Sequence, residues 1–124
     1  IRDCLRHDMS FNVLHLDTML KIDVFPAKSR AFNQEALRRA SRVVVALREG
    51  GPTYRVNTAE DIILFKLEWF EQGQRISERQ WLDVLGVLKT QAEELDLEYL
   101  QRWSEELGLE ELLSQACEDA GIRL

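Results

Sequence analysis

Met19-Leu20-Lys21-Ile22-Asp23-Val24-Phe25-Pro26 reads as a buried strand that carries a single carboxylate. Strand side chains alternate between faces, so Lys21, Asp23 and Phe25 share one face and Leu20, Ile22 and Val24 the other. Pro26 closes the strand, because proline has no N–H to give to a ladder. An acid among apolar neighbours must be paired, hydrogen-bonded or holding a cation. Asp23 therefore has two readings: an ion pair with Lys21 or a nearby arginine on a wet face, or a metal-binding acid. Just upstream, Phe11 to Leu16 alternates in the same way, with Phe11, Val13 and His15 on one side and Asn12, Leu14 and Leu16 on the other. Asp17-Thr18 supplies a tight turn, so the two runs predict an antiparallel hairpin.

Outward from that hairpin, Ile1 to Met9 reads as the tail of a helix. Ala27 to Ala40 is polar and basic, with a short helix over Phe32 to Arg39. Arg42 to Leu47 is rich in β-branched residues and strand-like. Glu49-Gly50-Gly51-Pro52 is a turn by composition, and Thr53 to Val56 returns as a short strand. At Asn57 the apolar period changes from two to that of a helix. Asn57 or Thr58 caps it, with Glu60 and Asp61 in the first turn, and Gly73 ends it. Ser77 to Gln91 is the next helix, with Ser77 and Gln80 as a capping box and Trp81, Val84, Leu85 and Leu88 as its inward stripe. Leu97, Leu100, Trp103 and Leu107 mark a third helix closed by Gly108. Leu109, Leu112, Leu113 and Ala116 mark a fourth closed by Gly121. The expected fold is α+β in one domain: a small, mostly antiparallel sheet of about four strands over 1–56, then a bundle of about four helices over 57–124.

The chain has 124 residues, 45% of them hydrophobic and 31% charged, with a net charge of -6. These are values of an ordinary soluble globular domain, and the acidic balance argues against non-specific nucleic-acid binding. A local basic cluster, Lys28, Arg30, Arg38, Arg39 and Arg42, is read as a solvated face balancing the acidic C-terminal helices; contact with phosphate is its second reading. No apolar run is long enough to span a bilayer, and no signal-peptide pattern follows Ile1. Cys4 and Cys117 are expected to be reduced thiols, in keeping with a cytoplasmic setting. Cys4-x-x-His7 lacks the second half of a zinc constellation. The start at Ile1, without Met and in mid-pattern, suggests that Ile1 is not a natural N-terminus.

Two residues of the helical half join Asp23 as chemical candidates. Lys66 projects from near the apolar face of its helix, between Ile62 and Ile63 on one side and Trp69 on the other. An amine there either snorkels outward or meets a buried anion. Asp83, between Trp81 and Val84, borders the inward stripe of the following helix.

In order, Phe11-Asn12-Val13-Leu14-His15-Leu16, Leu20-Lys21-Ile22-Asp23-Val24-Phe25, Thr58-Ala59-Glu60-Asp61-Ile62-Ile63-Leu64-Phe65-Lys66-Leu67 and Glu78-Arg79-Gln80-Trp81-Leu82-Asp83-Val84-Leu85 resemble bacterial nucleotidyltransferase-fold proteins. The nearest group is the AbiEii-like toxin nucleotidyltransferases and their uncharacterised relatives. In that superfamily a Gly-Ser loop holds the nucleotide phosphates, an Asp-x-Asp strand supplies two metal-binding acids, and a neighbouring strand supplies the third. The resemblance gives Asp23 the third acid position, with Lys21 beside it as a nucleotide contact. It puts Lys66 in the helix whose lysine faces the triphosphate, and Asp83 in the Arg-x-x-x-Asp pattern of the next helix. The implied cofactor is Mg²⁺ or Mn²⁺, the implied substrate an NTP, and the implied acceptor RNA or a protein.

The departures are as informative as the match. No Gly-Ser loop and no Asp-x-Asp precede Asp23, and Glu94-Leu95-Asp96-Leu97-Glu98 is a charge run with a helix cap. One carboxylate of three does not build a two-metal site. The expectation is a partial or degenerate nucleotidyltransferase, inactive alone, whose Mg²⁺ site is complete only with residues that this sequence lacks. The rival expectation is a non-catalytic interaction module or toxin-antitoxin component that self-associates as a homo-oligomer.

Overall fold

The computed structural model of the chain describes residues 9–27, 29–44 and 51–124. Residues 1–8 of the helix tail expected to run to Met9, with Cys4 and His7 among them, Lys28, the end of the Arg42–Leu47 run and the Glu49-Gly50 half of its turn lie outside the described residues. The architecture is α+β, in the order β1 (Phe11–His15), β2 (Leu20–Val24), α1 (Ala31–Arg39), β3 (Ser41–Val44), β4 (Thr53–Val56), α2 (Ala59–Gln72), α3 (Glu78–Gln91), α4 (Leu97–Leu107) and α5 (Glu110–Ala120). It divides into two compact units, residues 1–38 and 39–124. That boundary falls at the end of α1 rather than at 56/57, where the sequence changes its apolar period.

In the first unit β1 and β2 form an antiparallel ribbon with Phe11 opposite Val24, Val13 opposite Ile22 and His15 opposite Leu20. The turn over 16–19 is wider than the expected Asp17-Thr18 pair, and Met19 takes a positive φ of 55° within it. His15 Nδ1 lies 2.7 Å from Thr18 Oγ1 and ties the turn to the strand before it. The expectation of a buried strand is corrected here: Leu20 is 59% and Ile22 53% exposed. A ribbon of two strands has no third layer of its own to cover a face, so period-two alternation reports a strand without reporting its burial.

The expected sheet of about four strands is instead two ribbons, β1-β2 and β3-β4. Each strand takes its ladder from its neighbour along the chain, and α1 intervenes between the pairs. In the second ribbon Arg42 stands opposite Arg55 and Val43 opposite Tyr54. Every residue of β3 and β4 is exposed.

The second unit holds the main core. Helices α2, α3 and α4 begin where the sequence supplies oxygen acceptors for orphan N–H groups, whereas α5 follows Leu109 without a side-chain cap. Thr58 caps α2 by accepting from Asp61 N, Ser77 caps α3 by accepting from Gln80 N, and Asp96 caps α4 by accepting from Tyr99 N. Gly108 and Gly121 close α4 and α5 at φ of 67° and 77°, a backbone region that costs a Cβ-bearing residue about 1 kcal/mol. Gly73 closes α2 differently. Its φ is -80°, and the left-handed step falls on Gln74 and Arg75, whose N–H groups reach back to Glu71 O and Phe70 O.

Ile63, Leu64, Leu67 and Phe70 of α2, Val84 and Leu88 of α3, Leu100 of α4, and Leu112, Leu113, Ala116 and Cys117 of α5 are buried. Helix α2 packs on α3 and α4, and α5 packs on α3 and α4. Phe70 and Trp81 join α2 to α3 with ring centroids 5.1 Å apart. Trp81 Nε1 donates to Asp119 Oδ2 at 3.1 Å and so joins α3 to α5. Among the described residues no helix is long and apolar enough to cross a membrane.

Gly86 lies inside α3 with nothing within 4 Å of where a Cβ would stand. Gly86→Ala should therefore stabilise the chain by roughly 0.5–1 kcal/mol through the lost freedom of the unfolded backbone. Thermal unfolding followed by circular dichroism measures this, and a lowered midpoint would show that the space is needed.

Candidate functional site

The candidate residues fall into two places. Asp23 and Lys21, on one face of β2 in the first unit, form an exposed ion pair at 3.0 Å. This is the first of the two readings of Asp23. Opposite them on β1 stand Asn12 and Leu14. A divalent cation of the magnesium type requires about six oxygen ligands. Asp23 has one carboxylate and an ammonium beside it, and among the described residues no three His, Cys, Asp or Glu side chains gather into a metal-sized group. The donor set of this face does not fit a resident Mg²⁺ or Mn²⁺ by itself.

Lys66 and Asp83 do come together. Lys66 Nζ donates to Asp83 Oδ2 at 2.8 Å and to Gln80 Oε1 at 3.2 Å, and these bonds clamp the middle of α2 to the first turns of α3. The Lys66 hydrogen bond, and then its charge, holds the Asp83 carboxyl below its ordinary range. The Lys66 side chain is mostly covered and that of Asp83 is half-exposed, so the ammonium is pinned at the mouth of the helix pair rather than snorkelling freely.

A third cluster was not anticipated as a unit. Glu60 and Asp61 occupy the first turn of α2, where acids favour the helix dipole, yet both are buried. Asp61 accepts from Thr58 Oγ1 at 2.8 Å and from Tyr99 Oη at 2.6 Å. Glu60 accepts from Arg39 at 3.0 Å and from the N–H of Asp96 at 3.0 Å. The Arg39 guanidinium lies over the Tyr99 ring with 3.5 Å from Cζ to the centroid. These bonds join the cap of α2 to the cap of α4 through side chains.

Arg39 is thereby removed from the solvated basic face expected for it. Its side chain is only 19% exposed, because a planar guanidinium can stack and pair at once, whereas Arg38 stays at the surface on Glu35. Burial opposes the charge on Arg39, but Tyr99 and the carboxylates of Asp61 and Glu60 outweigh it and raise its pKa. Burial, reinforced by the bond to Asp61, pushes the Tyr99 hydroxyl far above the ordinary tyrosine range. A signal for this network did exist in the sequence. Glu60 stands three before Ile63 and seven before Leu67, so its position lies on the buried stripe of the helix.

For Glu60, burial favours the protonated form, but the N–H of Asp96, its own N–H, Thr58 and the charge of Arg39 together lower the pKa below its ordinary 4.5. A carboxyl depressed on folding contributes stability that is present above its unfolded pKa and is lost as pH falls through its folded one. Acid unfolding of the native chain should therefore steepen below about pH 4.5, and Glu60→Gln should flatten that limb. Equal slopes for the two proteins in urea titrations at pH 5 and about pH 3 would sink this assignment.

Comparison of the chain with protein-family models, with curated proteins and with solved structures gives no match.

Proposed function

We propose that this chain is a partial nucleotidyltransferase-type protein that contributes a phosphate-facing lysine and one acid but does not turn over by itself. The observation that carries this reading is the Lys66–Asp83 clamp. The two residues that the resemblance puts on successive helices lie 2.8 Å apart, with Lys66 mostly covered and pointing at an anion. A half-exposed ion pair of this kind exchanges partners at little cost, so a triphosphate can take the place of Asp83 on Lys66. Asp23, with Lys21 beside it, would serve as a metal acid only where other residues complete its donor set. A bound Mg²⁺ or Mn²⁺ would need further ligands and a Gly-Ser loop that these 124 residues do not contain. The acceptor is RNA or a protein, and the setting cytoplasmic.

The test is the thermal midpoint with each NTP, with and without Mg²⁺ or Mn²⁺. A ligand at a hundred times its Kd adds about 2.7 kcal/mol of stability. The expected result is a rise for one NTP that Lys66→Ala abolishes. No shift with any nucleotide would overturn the proposal.

The second reading is a non-catalytic docking module of the toxin-antitoxin kind that self-associates. It is favoured by a different observation, the ribbon of β1 and β2 with Val13, Leu20 and Ile22 exposed.

A further inference from the structure

Strand β2 has a symmetry that its own hairpin does not use. Leu20-Lys21-Ile22-Asp23-Val24 alternates apolar and charged residues, and its two charges are opposite in sign and equidistant from Ile22. One edge of β2 is taken by β1, and among the described residues no strand takes the other. An unpaired edge presents a row of N–H and C=O groups that template another strand.

We infer that the free edge of β2 is the contact surface for a second copy of this chain, paired antiparallel about a two-fold axis at Ile22. This inference deepens the docking reading above and rests on it. A two-fold axis there sets Ile22 against Ile22 of the second copy, and Leu20 against Val24 of the second copy. It also sets Lys21 against Asp23 of the second copy, and does so twice. Opposite charges directly across an antiparallel pair stabilise it, and like charges there are unfavourable. The Lys21–Asp23 pair within the strand is exposed, so its two charges are available to exchange partners across the axis.

The other edge of the ribbon does not have this property. The same operation on Phe11-Asn12-Val13-Leu14-His15 about Val13 sets Asn12 against Leu14 and Phe11 against His15, a mismatch at each flanking position. The choice of β2 over β1 therefore follows from the residues.

The assembly is a four-stranded sheet in the order β1-β2 of one protomer followed by β2-β1 of its partner. Phe11, Val13, His15, Leu20, Ile22 and Val24 share one face of each ribbon, so pairing joins two short, mostly apolar faces into one. Two-stranded ribbons are marginal alone, and three or more strands are the usual requirement for independent stability. The contact is isologous, which closes the assembly at two copies. One short strand pair buries less than a standard protein interface, so the dimer forms at micromolar to millimolar concentration rather than at nanomolar.

Sedimentation equilibrium of the whole chain over that range, at low salt, tests the inference with two charge changes. Lys21→Asp leaves two acids on each β2, and Asp23→Lys leaves two lysines. Each variant alone should dimerise at least tenfold more weakly than the native chain. An equimolar mixture of the two should recover a dimer at native strength, because each acid then meets a lysine of the other chain. The doubly exchanged chain, with Lys21→Asp and Asp23→Lys together, should pair with itself.

A native chain that stays monomeric throughout would overturn the inference, and would leave docking to a different protein as the reading of this edge. Association that ignores both substitutions would overturn it too, placing the contact elsewhere while self-association itself stands. Single variants that dissociate and do not recover on mixing would overturn the antiparallel register.

Discussion

Asp61→Ala should destabilise the protein by about 3 kcal/mol, a large fraction of what a domain of this size has. The carboxylate is fully buried and takes hydrogen bonds from both Thr58 Oγ1 and Tyr99 Oη. Its removal strips a buried hydroxyl of its acceptor and leaves the Arg39 guanidinium with one compensating anion fewer. Asp61→Asn keeps the shape and one acceptor oxygen, so its cost should be smaller. Tyr99→Phe retains the ring under Arg39 and removes only the hydroxyl, for about 1–3 kcal/mol. The double variant Asp61→Ala with Tyr99→Phe should cost less than the sum, since the second change removes the group that the first left unpaired. Urea unfolding by circular dichroism measures all four, and an Asp61→Ala loss within about 0.5 kcal/mol of zero would show that the network is not coupled to folding.

Leu67→Ala should cost about 2–5 kcal/mol, by loss of transfer free energy and by the cavity left behind. Leu67 is fully buried on the helix that packs against both α3 and α4, so a void there removes contacts on two sides. At several degrees per kcal/mol, the midpoint should fall by more than about 8 °C. Leu82, in the next helix and exposed, is the matched control: Leu82→Ala should stay within about 0.5 kcal/mol of native. Similar losses at the two positions would contradict the core described for the second unit.

The helical half was legible because its signals are local. Thr58, Ser77 and Asp96 can each bond the N–H three residues on, and Gly108 and Gly121 tolerate positive φ, so starts and stops follow from single residues. The hairpin at residues 11–24 was legible for a similar reason, with alternation on both sides of a polar turn. Strand partnership beyond the nearest neighbour was not, because alternation fixes which residues share a face and is silent on what faces them. Hence four strands came together as two ribbons, and Leu20 and Ile22 remained exposed. Glu60 and Asp61 were legible as favourable charges at a helix start. Their second role depends on Arg39 and Tyr99, distant in sequence, and no local pattern reports that meeting. Of the site candidates, Lys66 and Asp83 sit on successive helices at a spacing that lets them pair, whereas Asp23 took its partner from two residues away.

The Arg39–Glu60–Tyr99 stack also bears on how the chain folds in time. Helices α2 to α5 are linked by residues 73–77, 92–96 and 108–109, and each strand pairs with its neighbour in the chain. Such short closures cost little chain entropy, and topologies of this kind fold in microseconds to milliseconds. The buried polar network asks for more, since it is complete only when the chain from Arg39 to Tyr99 has closed on itself. Contacts completed only after the transition state act as a latch on the finished structure. Weakening them leaves the rate of folding nearly unchanged and hastens escape from the folded state. A handful of polar atoms would on that account bear on the lifetime of the native chain alongside the helices that form most of its bulk.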